Sequence, residues 1–286
     1  MKLLFTLLAI ATFLAPSANA AEPKTTLEQI KETGKVRIGY RENVPPMSFL
    51  GQDGKPMGYS IDLCVRIVNE VKTTLGNPGI GIEYVPVSSS NRFKTLADNT
   101  IDILCGATTK TISRGKLVDF TQLTFVTGAS LLSLQDAGID GISALQGKKV
   151  GVASGTTTLD VLEKALKESV SDAQIVQVDS AAEGLKALVA GEIDALSADQ
   201  VVLIGLVLTY SGEEQFEIAA DVFSYEPFAL AVRRNDADFR LLADSVLSQL
   251  NRSGQITPIY KKWFGKFTKS VPTLLQAMYV LNATPE

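Results

Sequence analysis

Residues 105–114 read CGATTKTISR. Two threonines beside small residues, closed by Arg114, hold neither a nucleophile with its base nor a metal cage. They suit a carboxylate. Gly106 and Ala107 let a ligand approach the backbone, Thr109 offers an N–H and a hydroxyl, and the Arg114 fork can grip a carboxylate in bidentate fashion. A second cluster, SGTTT at 154–158, has the pattern of a helix N-terminus. Ser154, Gly155 and Thr156 precede the helix and Thr157 stands at or beside its cap, where free N–H groups and hydroxyls favour an anion. Ordinary capping would explain the same residues, just as a surface arginine opening a short helix would explain Arg114. Arg41, together with Ser89 and Arg92 of SSSNR (88–92), also follows predicted strand ends, and one acid, Asp199, holds a comparable place later in the chain. Arginines for carboxylates and a carboxylate for an ammonium would together suit a zwitterion.

Much other chemistry is excluded. The 286 residues contain no histidine. This removes Ser-His-Asp and Cys-His catalysis, His-ligated zinc and histidine pH switching. Neither a G-x-S-x-G elbow nor a G-x-x-x-x-G-K-[ST] phosphate loop occurs. SRGK (113–116) fits the S-x-x-K of penicillin-binding enzymes, but the companion motifs of those enzymes are missing. The chain reads as a non-enzyme without cofactor or metal. A formal net charge of −4 and the lack of a long basic run argue against nucleic acid as a partner.

The elements that must position these residues begin after an export signal. Lys2, the apolar run Leu3 to Leu14 and Ala18-Asn19-Ala20 have the layout of a signal peptide over 1–20, cleaved after Ala20. Two cysteines, Cys64 and Cys105, would be exported with the chain. An even pair in an oxidising compartment allows a disulfide; two buried thiols are the alternative, since Cys64 falls on the apolar stripe Ile61, Cys64, Val68, Val71, Leu75. From Thr25 onward, strand and helix patterns alternate. Thr25 and Glu28 form a capping box, KVRIGY (35–40) alternates as a strand, and 60–75 is an amphipathic helix. GQDGKPMGY (51–59) carries turn signals. The order of elements recurs after residue 148, and FKTLADNTIDIL (93–104) partly matches LKALVAGEIDAL (185–196). This predicts two α/β lobes with mostly parallel sheets, whose ligands settle at the carboxyl ends of strands. The C-terminal portion would return to the first lobe, with crossings near 125–130 and 222–228. The expected division is 21–126 for lobe 1, 127–224 for lobe 2 and 225–286 for the return segment.

VRIGYRENVPPMSF, GYSIDLC, SSSNR, TIDILCGATTKTISR, VDFTQLTFVTGASLL, ASGTT and IYKKWFG, in this order, resemble the family-3 periplasmic solute-binding proteins, and within them the glutamate/aspartate-binding members. The resemblance implies the type II periplasmic-binding-protein fold, two similar α/β lobes joined by two hinge strands. It implies a monomer that captures an amino acid and delivers it to an inner-membrane ABC permease. Arg114 would clamp the α-carboxylate, helped by Thr109 and, in the facing lobe, by Thr156 and Thr157; Asp199 would receive the α-ammonium, and Arg41, Ser89 and Arg92 would hold a side-chain carboxylate. Two positions depart from the acidic-ligand pattern: Ala107 replaces a serine and Ala181 a histidine. A dehydratase-like enzyme on the same scaffold, with Glu183 as the nearest candidate acid, and a ligand-sensing module are the rival readings.

Overall fold

Helix α1 (Thr26–Thr33) begins where Thr25 and Glu28 complete their capping box and ends at Gly34, whose φ of +67° the absence of a Cβ permits. The computed structural model describes residues 24–268 and 270–285. The expected signal peptide lies outside them. After α1 come β1 (Lys35–Tyr40), β2 (Asn43–Val44), β3 (Ser48–Leu50), β4 (Pro56–Met57), α2 (Tyr59–Thr74), β5 (Gly81–Pro86), α3 (Arg92–Ala97), β6 (Ile103–Cys105) and β7 (Val118–Thr127). The second lobe holds β8 (Ala129–Leu134), β9 (Lys149–Ala153), α4 (Thr157–Glu168), β10 (Gln174–Val178), α5 (Ala181–Val189), β11 (Ala195–Asp199), α6 (Gln200–Thr209) and β12 (Phe216–Ile218). The chain then returns through β13 (Glu226–Arg233) to α7 (Ala237–Arg252), α8 (Ile256–Phe264) and α9 (Thr273–Leu281).

Two five-stranded sheets result, ordered β5-β1-β6-β13-β7 and β10-β9-β11-β8-β12. The expectation of mostly parallel sheets needs correction. β5, β1 and β6 pair in parallel, but β13 is antiparallel to both β6 and β7. Likewise β10, β9 and β11 are parallel, while β8 is antiparallel to both β11 and β12. Each sheet thus has one strand opposed to its neighbours, and in each case it is the first strand after a crossover. A strand entering a lobe from the hinge starts at the cleft, whereas strands of β-α-β units end there. Hydrophobic alternation has no direction, so sequence periodicity could not reveal this.

The two crossovers touch. A Cβ added to Gly128 would lie 2.4 Å from the Ser224 carbonyl oxygen, and the Ala129 N–H donates to Ser224 Oγ at 2.9 Å. Two further features were not anticipated. Within 51–59, expected to be a turn, Pro56–Met57 pairs in a small β2-β3-β4 sheet, and α9 lies beyond the last helix foreseen. The first lobe is cemented by an aromatic cluster of Tyr59, Phe125, Phe228, Tyr260 and Phe264. The Cys64–Cys105 disulfide is formed and ties α2 to β6.

Candidate binding site

Three arginines occupy the first-lobe wall of the cleft, two of them buried and Arg114 half-buried. Arg41 follows β1 and Arg92 opens α3; they are 7% and 2% exposed. Arg114 is held by its own segment, Nη1 donating to the Thr109 carbonyl at 2.9 Å and the backbone N–H to Thr111 Oγ1 at 3.1 Å. The Phe93 ring supports two of them, with Arg92 and Arg114 centred 5.0 and 5.2 Å from its centroid. Among the described residues none of the three guanidinium groups forms an ion pair with a carboxylate. Burial pulls Arg41 down to about 10. Burial first, then the Arg41 and Arg114 cations, lowers Arg92 well below the usual guanidinium value. Desolvated cations without an anion are costly to bury, so this wall calls for one.

The 106–109 segment is stitched to β13. Ala229 N–H donates to the Thr108 carbonyl and Lys110 N–H to the Pro227 carbonyl, with Thr109 bridged to Phe228. This pairing gives Thr108 a structural role and sets Thr109 beside Glu226. The expectation for Gly106 is corrected: a Cβ there would meet Arg41 Cγ at 3.1 Å. The missing side chain makes room for the arginine rather than for a ligand.

The second-lobe wall supplies Thr157, Asp199 and two helix N-termini. Thr156 is the N-cap of α4 and Thr157 stands beside it: the Thr156 hydroxyl accepts from Leu159 N–H and donates to the Ala153 carbonyl. Gly155, at φ +70°, brings the lobes into contact, since a Cβ there would lie 3.2 Å from both the Ser89 carbonyl oxygen and Ser90 Cα. Arg92 Nη2 donates across the cleft to the Gly155 carbonyl at 3.3 Å, and Asn43 Nδ2 donates to Ser180 Oγ at 3.1 Å. Asp199 ends β11, and its buried Oδ1 has no hydrogen-bond partner among the described residues. Burial, then the Glu226 charge, pushes its carboxyl up to about 7 against the pull of Arg114 and Arg92.

Arg41, Arg92, Ala107, Thr109, Arg114, Thr156, Thr157, Ala181 and Asp199 all line one small cavity of about 50 Å³, together with Val44, Ser197 and Val202. Ser89 is buried but is not among the lining residues; its backbone lies against Gly155 of the facing lobe. Glu183 does not line the cavity either and pairs with Lys186 at 2.8 Å. The sequence reading missed Phe93, a hydrophobic residue that any helix face would carry. It also missed Glu226, which is 1% exposed and takes hydroxyl hydrogens from Thr109 at 2.6 Å, Thr157 at 2.7 Å and Ser224 at 2.8 Å. An acid opening an otherwise apolar strand was the available signal for Glu226.

This arrangement, charged groups from two α/β lobes converging between them, agrees with the comparisons. Residues 36–266 match the model of the bacterial extracellular solute-binding proteins, family 3. The L-glutamate/L-aspartate-binding protein of Pseudomonas aeruginosa is 33% identical over 264 residues, covering 92% of this chain and 86% of that one. The glutamate/aspartate import solute-binding protein of Salmonella typhimurium is 32% identical over 250 residues, covering 87% and 81%. Among solved structures, the ancestral amino acid-binding protein AncCDT-1, described as a precursor of cyclohexadienyl dehydratase, superposes with a TM-score of 0.72 at 27% identity, covering 84% of this chain and all of that one (100%). The chain belongs to the family-3 bacterial extracellular solute-binding proteins.

Proposed function

We propose that the protein captures an acidic amino acid, glutamate or aspartate, in the periplasm and delivers it to an inner-membrane ABC permease. The observation that carries this reading is charge. At the cavity the three guanidinium groups of Arg41, Arg92 and Arg114 meet the carboxylates of Asp199 and, behind the lining, Glu226, with Asp160 acting more weakly on Arg114, which leaves the cavity and its immediate wall formally one positive charge in excess. An amino acid with two carboxylates and one ammonium carries the compensating negative charge, whereas an amide such as glutamine would leave a buried cation unpaired. In this reading Arg114 and the backbone N–H groups of the 107–109 segment bind the α-carboxylate. Asp199 takes the α-ammonium, and Arg41 and Arg92 take the distal carboxylate. Ala181 leaves room at that distal end.

Ligand bridging Arg114 and Asp199 interacts more favourably with the closed arrangement, and that difference drives closure. After export and removal of residues 1–20, the closed form would be the one offered to the permease. The test is a thermal-shift screen on protein unfolded and refolded to strip carried-over ligand. At a hundredfold excess over Kd, glutamate or aspartate should add about 2.7 kcal/mol, or on the order of 5–10 °C. Glutamine and asparagine should give a much smaller rise; an equal rise with glutamine would overturn the acidic assignment.

A further inference from the structure

Glu226 stands where β13 leaves the second crossover. Its Oε2 accepts the hydroxyl hydrogens of Thr109 from the first lobe and Thr157 from the second, and its Oε1 accepts that of Ser224 in the crossover itself. The two threonine hydroxyls also approach each other at 3.2 Å. One buried carboxylate is therefore held by three donors on three parts of the chain, the two lobes and the crossover. A hydroxyl has a single hydrogen. With theirs given to Glu226, Thr109 and Thr157 can present only lone pairs to the cavity that both line. They cannot donate to a ligand carboxylate, but they can accept from an ammonium.

The geometry points to Glu226 as a positioning residue that latches the two lobes through Thr109 and Thr157 and turns both hydroxyls into acceptors for a cationic head group. The latching part stands on the hydrogen bonds alone; the head-group part rests on the amino-acid reading above. When the lobes part, Thr157 must leave Glu226. A buried carboxylate then loses one of its charge-assisted bonds, which are stronger than neutral ones. The latch accordingly favours the closed arrangement before any ligand contributes. Ligand then acts on an equilibrium already shifted toward closure, and its apparent affinity gains by the same factor.

The test compares Glu226→Gln, Glu226→Ala and Thr157→Val in the mature chain. Spin labels are placed on cysteines replacing the exposed Lys94 and Lys164, one in each lobe. Both native cysteines are in a disulfide, so labelling is specific. Without added ligand, the wild type should show a closed component in its inter-label distances. Glu226→Ala and Thr157→Val should each reduce it several-fold, and the double variant by less than the product of the two, because both remove the Thr157–Glu226 bond. Glu226→Gln, which keeps an acceptor oxygen, should retain most of it; this variant and Thr157→Val also carry the test if Glu226→Ala fails to fold. A wild type fully open without ligand, or variants with unchanged distances, would overturn the latch whatever the ligand proves to be. For the head group, calorimetry should show the preference for glutamate over glutarate, which lacks the ammonium, falling at least tenfold in Glu226→Ala. An unchanged ratio would remove that part of the inference.

Discussion

The two walls of the cleft are built from opposite materials. The first lobe contributes Arg41, Arg92 and Arg114, braced by Phe93 and by a body stiffened with an aromatic cluster and a disulfide. The second contributes a single charged group, Asp199, with threonines and helix N-termini. Neither wall is electrostatically satisfied alone. The first sets three guanidinium groups against one carboxylate, Glu226, and the second holds a carboxylate at about 7 because burial and the Glu226 charge outweigh the pull of Arg114 and Arg92. Binding energy is thus stored as unmet desolvation cost on both sides, to be offset only when one molecule carrying both signs lies between them.

Removing the strongest grip of the first wall should break the comparison most severely. Arg114→Ala should weaken amino-acid binding on the order of 10²–10³-fold, because truncating one partner of a buried charge pair costs about 2–5 kcal/mol. Calorimetry would measure this, with circular dichroism verifying an intact fold. The second wall is probed through pH. With its carboxyl at about 7, Asp199 is ionised above that value and must release a proton to bind an ammonium below it. Affinity should therefore be flat above pH 7 and fall by up to about tenfold per unit as pH drops below it. Asp199→Asn should flatten this profile and weaken binding by about one to two orders of magnitude. The sign for stability is the reverse. A folded value raised above the ordinary carboxylate range means that this group's stability contribution is lost as pH rises from about 4 to 7.

A smaller effect is expected where the walls merely touch. Gly155→Ala would put a side chain at φ +70° against Ser89 and Ser90. At a strain of about 1–2 kcal/mol, it should lower the melting temperature, and through the added contact it should weaken affinity about fivefold, a cost of about 1 kcal/mol. Least affected in affinity should be protein with Cys64–Cys105 reduced. It should lose about 2–4 kcal/mol of stability in denaturant titrations, while ligand titration under native conditions changes little, since neither cysteine lines the cavity.

How far the sequence carried these conclusions differs by element. α1 was legible to its caps because Thr25, Glu28 and Gly34 act through contacts three to four residues apart. The same holds for α4 to within one residue: which of Thr156 and Thr157 is the cap stays open in a run of three threonines that local chemistry does not separate. The arginines were legible as a set because buried guanidinium groups at strand ends have few uses. Glu226 was not, for a topological reason. Ligand groups are expected after the carboxyl ends of strands, whereas β13 runs the other way, so its first residue reaches the cleft. Gly106 reads as room for a ligand because a glycine reveals only that space is needed, not what fills it; Arg41 does.

Composition and local spacing, by themselves, determined what chemistry this protein can command. No histidine, no phosphate loop and a surplus of well-placed arginines leave recognition of an anion as the natural use. These are properties of residue types, which survive in any conformation. Tertiary structure decided which of those residues meet. Residues 41, 92, 114, 157, 199 and 226 are brought to one cavity and its wall by two sheets and two crossovers. The direction in which each crossover strand enters its sheet then decided that a carboxylate, and not solvent, holds the hydroxyls of Thr109 and Thr157.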